Sequence, residues 1–279
     1  MMAGRYAIER GSQEGVGVFT LRDCEAGTAA SVAPALGANW FRYSVLHRGS
    51  AIEALAVPPT FAELRQRPSR WGTPVLFPFP NRLRYGRFAF QGHTYQFEPN
   101  TRQGHHIHGL VIMQPFQVEW TEAHEQGAVL ACTLRSQDVP QIEQQFPFPF
   151  VLRLRFTLRD GRMQQTVEVE NTGGSPMPMG FGMHPYFAAP LAPGGERDAC
   201  RIQVPAAASW ELDADRIPTG RVLPVEGTLD LRSGRTLEGT SYDHVFTALQ
   251  PADGWSTCRL EDPAAGLALV TRAEYPVFR

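Results

Sequence analysis

Residues 150–171 read FVLRLRFTLRDGRMQQTVEVEN. Leu152, Leu154, Phe156 and Leu158 alternate with Arg153, Arg155, Thr157 and Arg159. After Asp160-Gly161, Met163, Gln165, Val167 and Val169 alternate with Gln164, Thr166, Glu168 and Glu170. A period of two places one set on each face of a strand. Asp-Gly between two such runs is the preferred two-residue hairpin turn, because both positions tolerate positive φ. The arginines of one arm then face the glutamates of the other across a solvated surface.

Working outward, the same signals recur. Gly15 to Arg22 reads as a strand with Val16, Val18 and Thr20 on one face, and Ala51 to Val57 as another. Arg87 to Phe90 and Thr94 to Phe97 flank Gln91-Gly92-His93 as a second hairpin. Phe116 to Trp120 and Ala128 to Arg135 follow, with later strands at Cys200 to Val204, His244 to Leu249, Thr257 to Glu261 and Gly266 to Arg272. The best helix is short, Thr60 to Arg65. Thr60 and Glu63 stand at capping-box spacing, and Pro68 limits its length. Many strands and almost no helix imply an all-β chain, a large antiparallel sandwich or barrel. With 279 residues and no internal repeat, one domain over residues 1–279 is expected, since β-sandwiches run to about 250 residues. Residues 273–279 read as the entry to a further strand, so the last C-terminal strands of the fold are expected to be missing.

Composition excludes several functions. The formal net charge is -2, and there is no basic block to draw in nucleic acid. No apolar run is long enough to span a bilayer, and no signal-peptide core follows Met1, so a cytoplasmic location is expected. The chain has no lysine: all 26 basic residues are arginine. That removes Schiff-base chemistry and a Walker lysine. Cys24, Cys132, Cys200 and Cys258 are far apart and expected to be small buried hydrophobes. No Gly-x-Ser-x-Gly elbow is present.

Three loop stretches carry polar groups suited to a ligand. In Phe77-Pro78-Phe79-Pro80-Asn81-Arg82, two prolines stiffen the backbone ahead of a guanidinium able to bond vicinal hydroxyls or a carboxylate. An ordinary surface arginine would also fit. In His105-His106-Ile107-His108-Gly109, His106 and His108 would point the same way in an extended segment, as metal ligands do. The carboxylate such a site needs is absent from Leu110 to Gln114, so no metal is expected. His105 and His106 read as residues of a polar loop, and His108 as the ligand-facing ring. In residues 179–187, glycines allow close approach around His184, and Phe181, Tyr186 and Phe187 form a candidate platform for a sugar ring. A core aromatic cluster with a satisfied histidine is the alternative. Asp243 is the carboxylate nearest a later strand start.

Together these stretches resemble the aldose 1-epimerase (galactose mutarotase) family. The likeness lies in Pro80-Asn81-Arg82, the hairpin Gly86 to Phe97 with Asn100 after it, and His108-Gly109. It continues in the run 176–187, in Ile217-Pro218-Thr219-Gly220, and in Tyr242-Asp243-His244-Val245-Phe246. It implies a large β-sandwich that interconverts hexose anomers without a cofactor, acting on a small sugar as a monomer or homodimer. His184 would protonate the ring oxygen, while His108 and Arg82, with Asn81, orient the substrate and Asp243 bonds its hydroxyls. The family's base is a glutamate in a Glu-Pro context. Glu274, ahead of Tyr275-Pro276, does not match it, so the base would lie beyond this chain or be another carboxylate, Asp243 among them. The resemblance also leaves open a sugar-binding domain without turnover, or a hexose 6-phosphate substrate met by Arg84 and Arg87.

Overall fold

The computed structural model describes residues 4–274. Its contacts group into two compact units that divide between Phe187 and Ala188. In the first unit the chain opens with β1 (Tyr6–Gln13), β2 (Val16–Asp23), β3 (Thr28–Ala33), β4 (Asn39–His47) and β5 (Ser50–Glu53). They pair in that order as one antiparallel sheet. Helix α1 (Phe61–Gln66) follows, with the Thr60 side chain accepting from the Glu63 N–H as the capping pattern predicts. Short strands β6 (Val75–Leu76) and β7 (Arg82–Leu83), the hairpin β8 (Arg87–Phe90) with β9 (His93–Gln96), and β10 (His106–Ile107) carry the loops. A second sheet follows: β11 (Gln117–His124), β12 (Gly127–Arg135), β13 (Phe150–Arg159) and β14 (Arg162–Asn171). Helix α2 (Pro140–Gln145) lies between β12 and β13 in the chain. β15 (Gly182–Met183) closes the unit and pairs with β6.

The β13–β14 hairpin is formed as its pattern requires. Asp160 and Gly161 take φ of 49° and 65°, and Arg153 pairs with Glu168 in register. Arg153 Nη1 and Nη2 reach Glu168 and Glu170 at 2.9 and 2.8 Å. Exposed pairs like these contribute little. Burial holds the hairpin, because Leu152, Leu154, Phe156 and Leu158 are at most 1% exposed and each such side chain contributes about 1.5–3 kcal/mol. They share one core with Leu21 of β2, Val32 of β3 and Leu130, Cys132 and Leu134 of β12. The two sheets therefore pack across a common apolar layer, a β-sandwich.

The second unit holds β16 (Arg201–Gln203), β17 (Ala206–Leu212), β18 (Pro218–Pro224), β19 (Arg235–Thr236), β20 (Val245–Leu249), β21 (Ser256–Asp262) and β22 (Leu267–Ala273). They form an antiparallel sheet of order β19-β16-β21-β22 and another of order β18-β17-β20. Val204, Ala206, Val225, Leu231 and Phe246 form its core. The strand entry read at residues 273–279 falls at Ala273, the last residue of β22, and beyond Glu274 it lies outside the described residues. Cys132 and Cys200 are buried, as expected, whereas Cys258 is only half-buried. Cys24 is exposed, because it lies in the turn that leaves β2. No helix among the described residues is long and apolar enough to cross a membrane.

Candidate active site

Proline removes backbone N–H groups, so residues 77–80 bond to their neighbours largely through carbonyls. Phe77 O accepts from Leu110 N–H at 2.7 Å, and Pro78 O from Gly180 N–H at 2.6 Å. Asn81 then turns the chain at φ 62°, and its carbonyl accepts from the His108 N–H at 3.0 Å. β7 pairs with β10, placing Arg82 opposite Ile107 and Leu83 opposite His106. One antiparallel contact thus carries Asn81 and Arg82 beside His108. Arg82 Nη1 also donates to Asn81 Oδ1 at 3.4 Å. Gly109 is required at the crossing. It has φ 71°, and a Cβ there would stand 2.2 Å from Phe77 O.

The three neighbouring histidines have different surroundings. His105 is 1% exposed, and its Nδ1 accepts from Tyr85 N–H at 3.0 Å. His106 is 5% exposed, with its ring nitrogens 2.7 and 3.0 Å from the carbonyls of Glu98 and Gly109. Both are buried and bonded to backbone, where the sequence put them in a polar loop. His108, at φ 71°, leaves the extended line of β10 and turns its ring to His184. The centroids are 5.2 Å apart and the planes at 70°. Burial first, and then His184, Arg82 and His106, oppose charge on His108 and push its imidazole down to about 3. No group of three or more His, Cys, Asp and Glu able to hold a metal ion occurs among the described residues.

His184 reaches this place along a different segment. β15 pairs with β6, and the ladder continues through His184 N–H to Pro74 O at 3.1 Å and Tyr186 N–H to Gly72 O at 2.8 Å. Glycine lets this segment pass close over the prolines: a Cβ on Gly182 would come within 2.9 Å of Pro80 Cβ. The Tyr186 ring stacks on His184 at 5.0 Å and 22°. That face of the tyrosine is therefore occupied by imidazole and does not form the open platform read from the sequence.

The sequence reading missed Asn39. It is fully buried, its Nδ2 donates to Trp71 O at 3.1 Å, and its Oδ1 accepts from Thr73 N–H at 3.0 Å. It clamps the segment against which His184 and Tyr186 pair. Only its position at the start of β4, just after the Gly37-Ala38 turn, hinted at this. Asp243 belongs to the second unit. Its side chain is 72% exposed and pairs with Arg216 Nη1 at 3.3 Å. In the first unit, then, Asn81, Arg82, His108 and His184 come together. The guanidinium donates to oxygen, and an imidazole kept neutral both donates and accepts a hydrogen bond.

A family model described as Aldose 1-epimerase matches residues 19–278. Among curated proteins, the chain is 28% identical to the uncharacterized protein YphB of Escherichia coli (strain K12) over 209 residues, 72% of this chain and 62% of that one. It is 29% identical to the galactose mutarotase of Rattus norvegicus over 230 residues, 77% of this chain and 64% of that one. Among solved structures, a galactose mutarotase-like protein from Clostridium acetobutylicum superposes with a TM-score of 0.87 at 23% identity. The match covers 95% of this chain and 80% of that one. A galactose 1-epimerase from Lactobacillus acidophilus NCFM gives 0.72 at 18% identity, covering 93% and 78%. These likenesses show the fold. The matched region spans between about half and two thirds of the length of the curated relatives, 53% to 64%.

Proposed function

The chain belongs to the aldose 1-epimerase family, and on that premise we propose that it interconverts the α and β anomers of free hexoses. The observation that carries the proposal is the meeting of His184 and His108 beside Arg82, on two segments that both pair with the 72–83 stretch. In the proposed reaction His184 protonates the ring oxygen while a carboxylate takes the proton from the C1 hydroxyl. The ring opens to the aldehyde, turns about C1–C2, and recloses on the other face. Such paired proton transfers contribute factors of about 100 to 10,000 each. His108, held neutral, hydrogen-bonds the substrate without competing for the transferred proton. Arg82 and Asn81 bond hydroxyls. The reaction needs no cofactor and takes place in the cytoplasm.

Polarimetry of freshly dissolved α-D-glucose and α-D-galactose, with and without the chain, tests this. Acceleration above the buffer rate is expected, reduced about 100-fold or more by His184→Asn. It would mean that one of this chain's own carboxylates serves as base. A folded chain that binds sugar saturably without acceleration would instead be a carbohydrate-binding domain. Turnover of glucose 6-phosphate but not of glucose would move the substrate to the phosphorylated sugar.

A further inference from the structure

A histidine χ2 torsion is soft and roughly two-fold. A ring that must aim one nitrogen at a reacting atom therefore needs neighbours to choose its orientation. His184 has an aromatic ring on two sides. Tyr186 lies nearly parallel to it at 5.0 Å and 22°, and His108 stands edge-on at 5.2 Å and 70°. From this we infer that Tyr186 is a positioning residue for His184: its ring fixes the plane of the imidazole and favours the charged form that gives up the proton. The acid role rests on the function proposed above; the stacking does not.

The backbone explains why this ring can serve as a fixed surface. His184 and Tyr186 are two apart in extended chain, so their side chains leave on the same side. Both N–H groups are tied to one segment, at Pro74 O and Gly72 O. Tyr186 O also accepts from Ala56 N–H at 2.8 Å, and Phe187 bridges Leu55. Tyr186 is thus bonded on both sides, while Asn39 brackets the Trp71–Thr73 backbone that receives it. An aromatic face attracts a cation placed over it. The imidazolium of His184 is stabilised by this face more than the neutral ring is.

The test compares wild type, Tyr186→Phe and Tyr186→Leu. Leucine keeps an apolar neighbour and removes the π face. The His184 ring signals, assigned by their loss in His184→Asn, are followed by NMR across pH. In wild type and Tyr186→Phe these protons are expected to show an upfield ring-current shift. In Tyr186→Leu that shift disappears and the titration midpoint falls. In mutarotation, Tyr186→Leu should lose kcat by about tenfold or more, as expected when a reacting group is misaligned. Its KM should hold and Tyr186→Phe should stay near wild type, with the alkaline limb of the kcat profile, where the acid loses its proton, following the NMR midpoint. Unchanged His184 signals in Tyr186→Leu, or a rise in KM with kcat intact, would overturn the inference; the second result would restore a substrate platform. If Tyr186→Leu does not fold, wild type alone decides, because absence of the upfield shift would overturn the stacking. If no variant, wild type included, accelerates mutarotation, the proposed function fails, while the ring-current shift and the titration midpoint still decide whether Tyr186 positions His184.

Discussion

At the scale of the residue, His108 links the site to acid stability. Its imidazole is pushed down to about 3 from 6.5 by burial and by the charges of His184, Arg82 and His106. In the unfolded chain the ring protonates near 6.5. Between those values the unfolded state holds the extra proton, so stability rises with pH across the window and falls on acidification. Urea midpoints measured from pH 7 down to pH 4 should therefore drop, and His108→Asn should flatten part of that drop. Asparagine suits the substitution because it tolerates φ near 71°. An unchanged slope in the variant would rule His108 out as the source. Asp23 acts lower down. Arg5, against burial, holds its carboxyl at about 2, so its contribution is present above 3.8 and is lost as pH falls toward 2. The sequence set His108 apart as the ligand-facing ring, but the burial of His105 and His106 against backbone groups was not legible, because it depends on what the folded chain packs around them. His184 was easier to find, because Gly-x-Gly and Pro mark a segment built for close approach.

At the scale of the element, two contacts invite substitution. Asp23 ends β2 and accepts from Arg5 Nε and Nη2 at 3.0 Å, Ala26 N–H at 3.1 Å and Gly161 N–H at 2.9 Å. It thereby latches the first sheet to the tip of the β13–β14 hairpin. In Asp23→Asn an amide NH2 must face one of these donors. The expected loss is about 1–3 kcal/mol, from N–H groups left unsatisfied, read as a lower urea midpoint at neutral pH. Gly109→Ala acts where Gly109 crosses Phe77. It puts a Cβ against Phe77 O at φ 71° and should cost about 1–3 kcal/mol or more in strain. Because the same crossing sets the His108 turn, it should also lower mutarotation; thermal melts and polarimetry on one preparation check both. A variant as stable and as active as wild type would mean that the crossing relaxes freely. The hairpins were legible because their turns need residues that accept positive φ: Asp160-Gly161, and Gln91-Gly92 at 49° and 81°. β1, β3 and α2 were not. β1 is mostly polar, β3 is mostly Ala and Ser with only Thr28 and Val32 as β-formers, and α2 is only six residues long and opens on Pro140.

At the scale of the whole molecule, the all-β character followed from alternation and turn chemistry, whereas the strength of each part depends on burial that no local pattern reveals. In the first unit β12 and β13 are inner strands, each paired on both sides, and their core-facing residues are 0–2% exposed. In the second unit β18 is an edge strand whose seven residues are all exposed, among them Val222 at 48% and Leu223 at 37%. Local opening is cheapest where few apolar contacts hold the backbone. Hydrogen exchange should therefore be slowest for peptides covering residues 127–135 and 150–159 and fast for those covering 218–224. The ratio should persist across protein concentrations if nothing covers the β18 edge. Slow exchange at 218–224 that quickens on dilution would instead show a second copy pairing there, since an open edge with apolar side chains is a template for another strand.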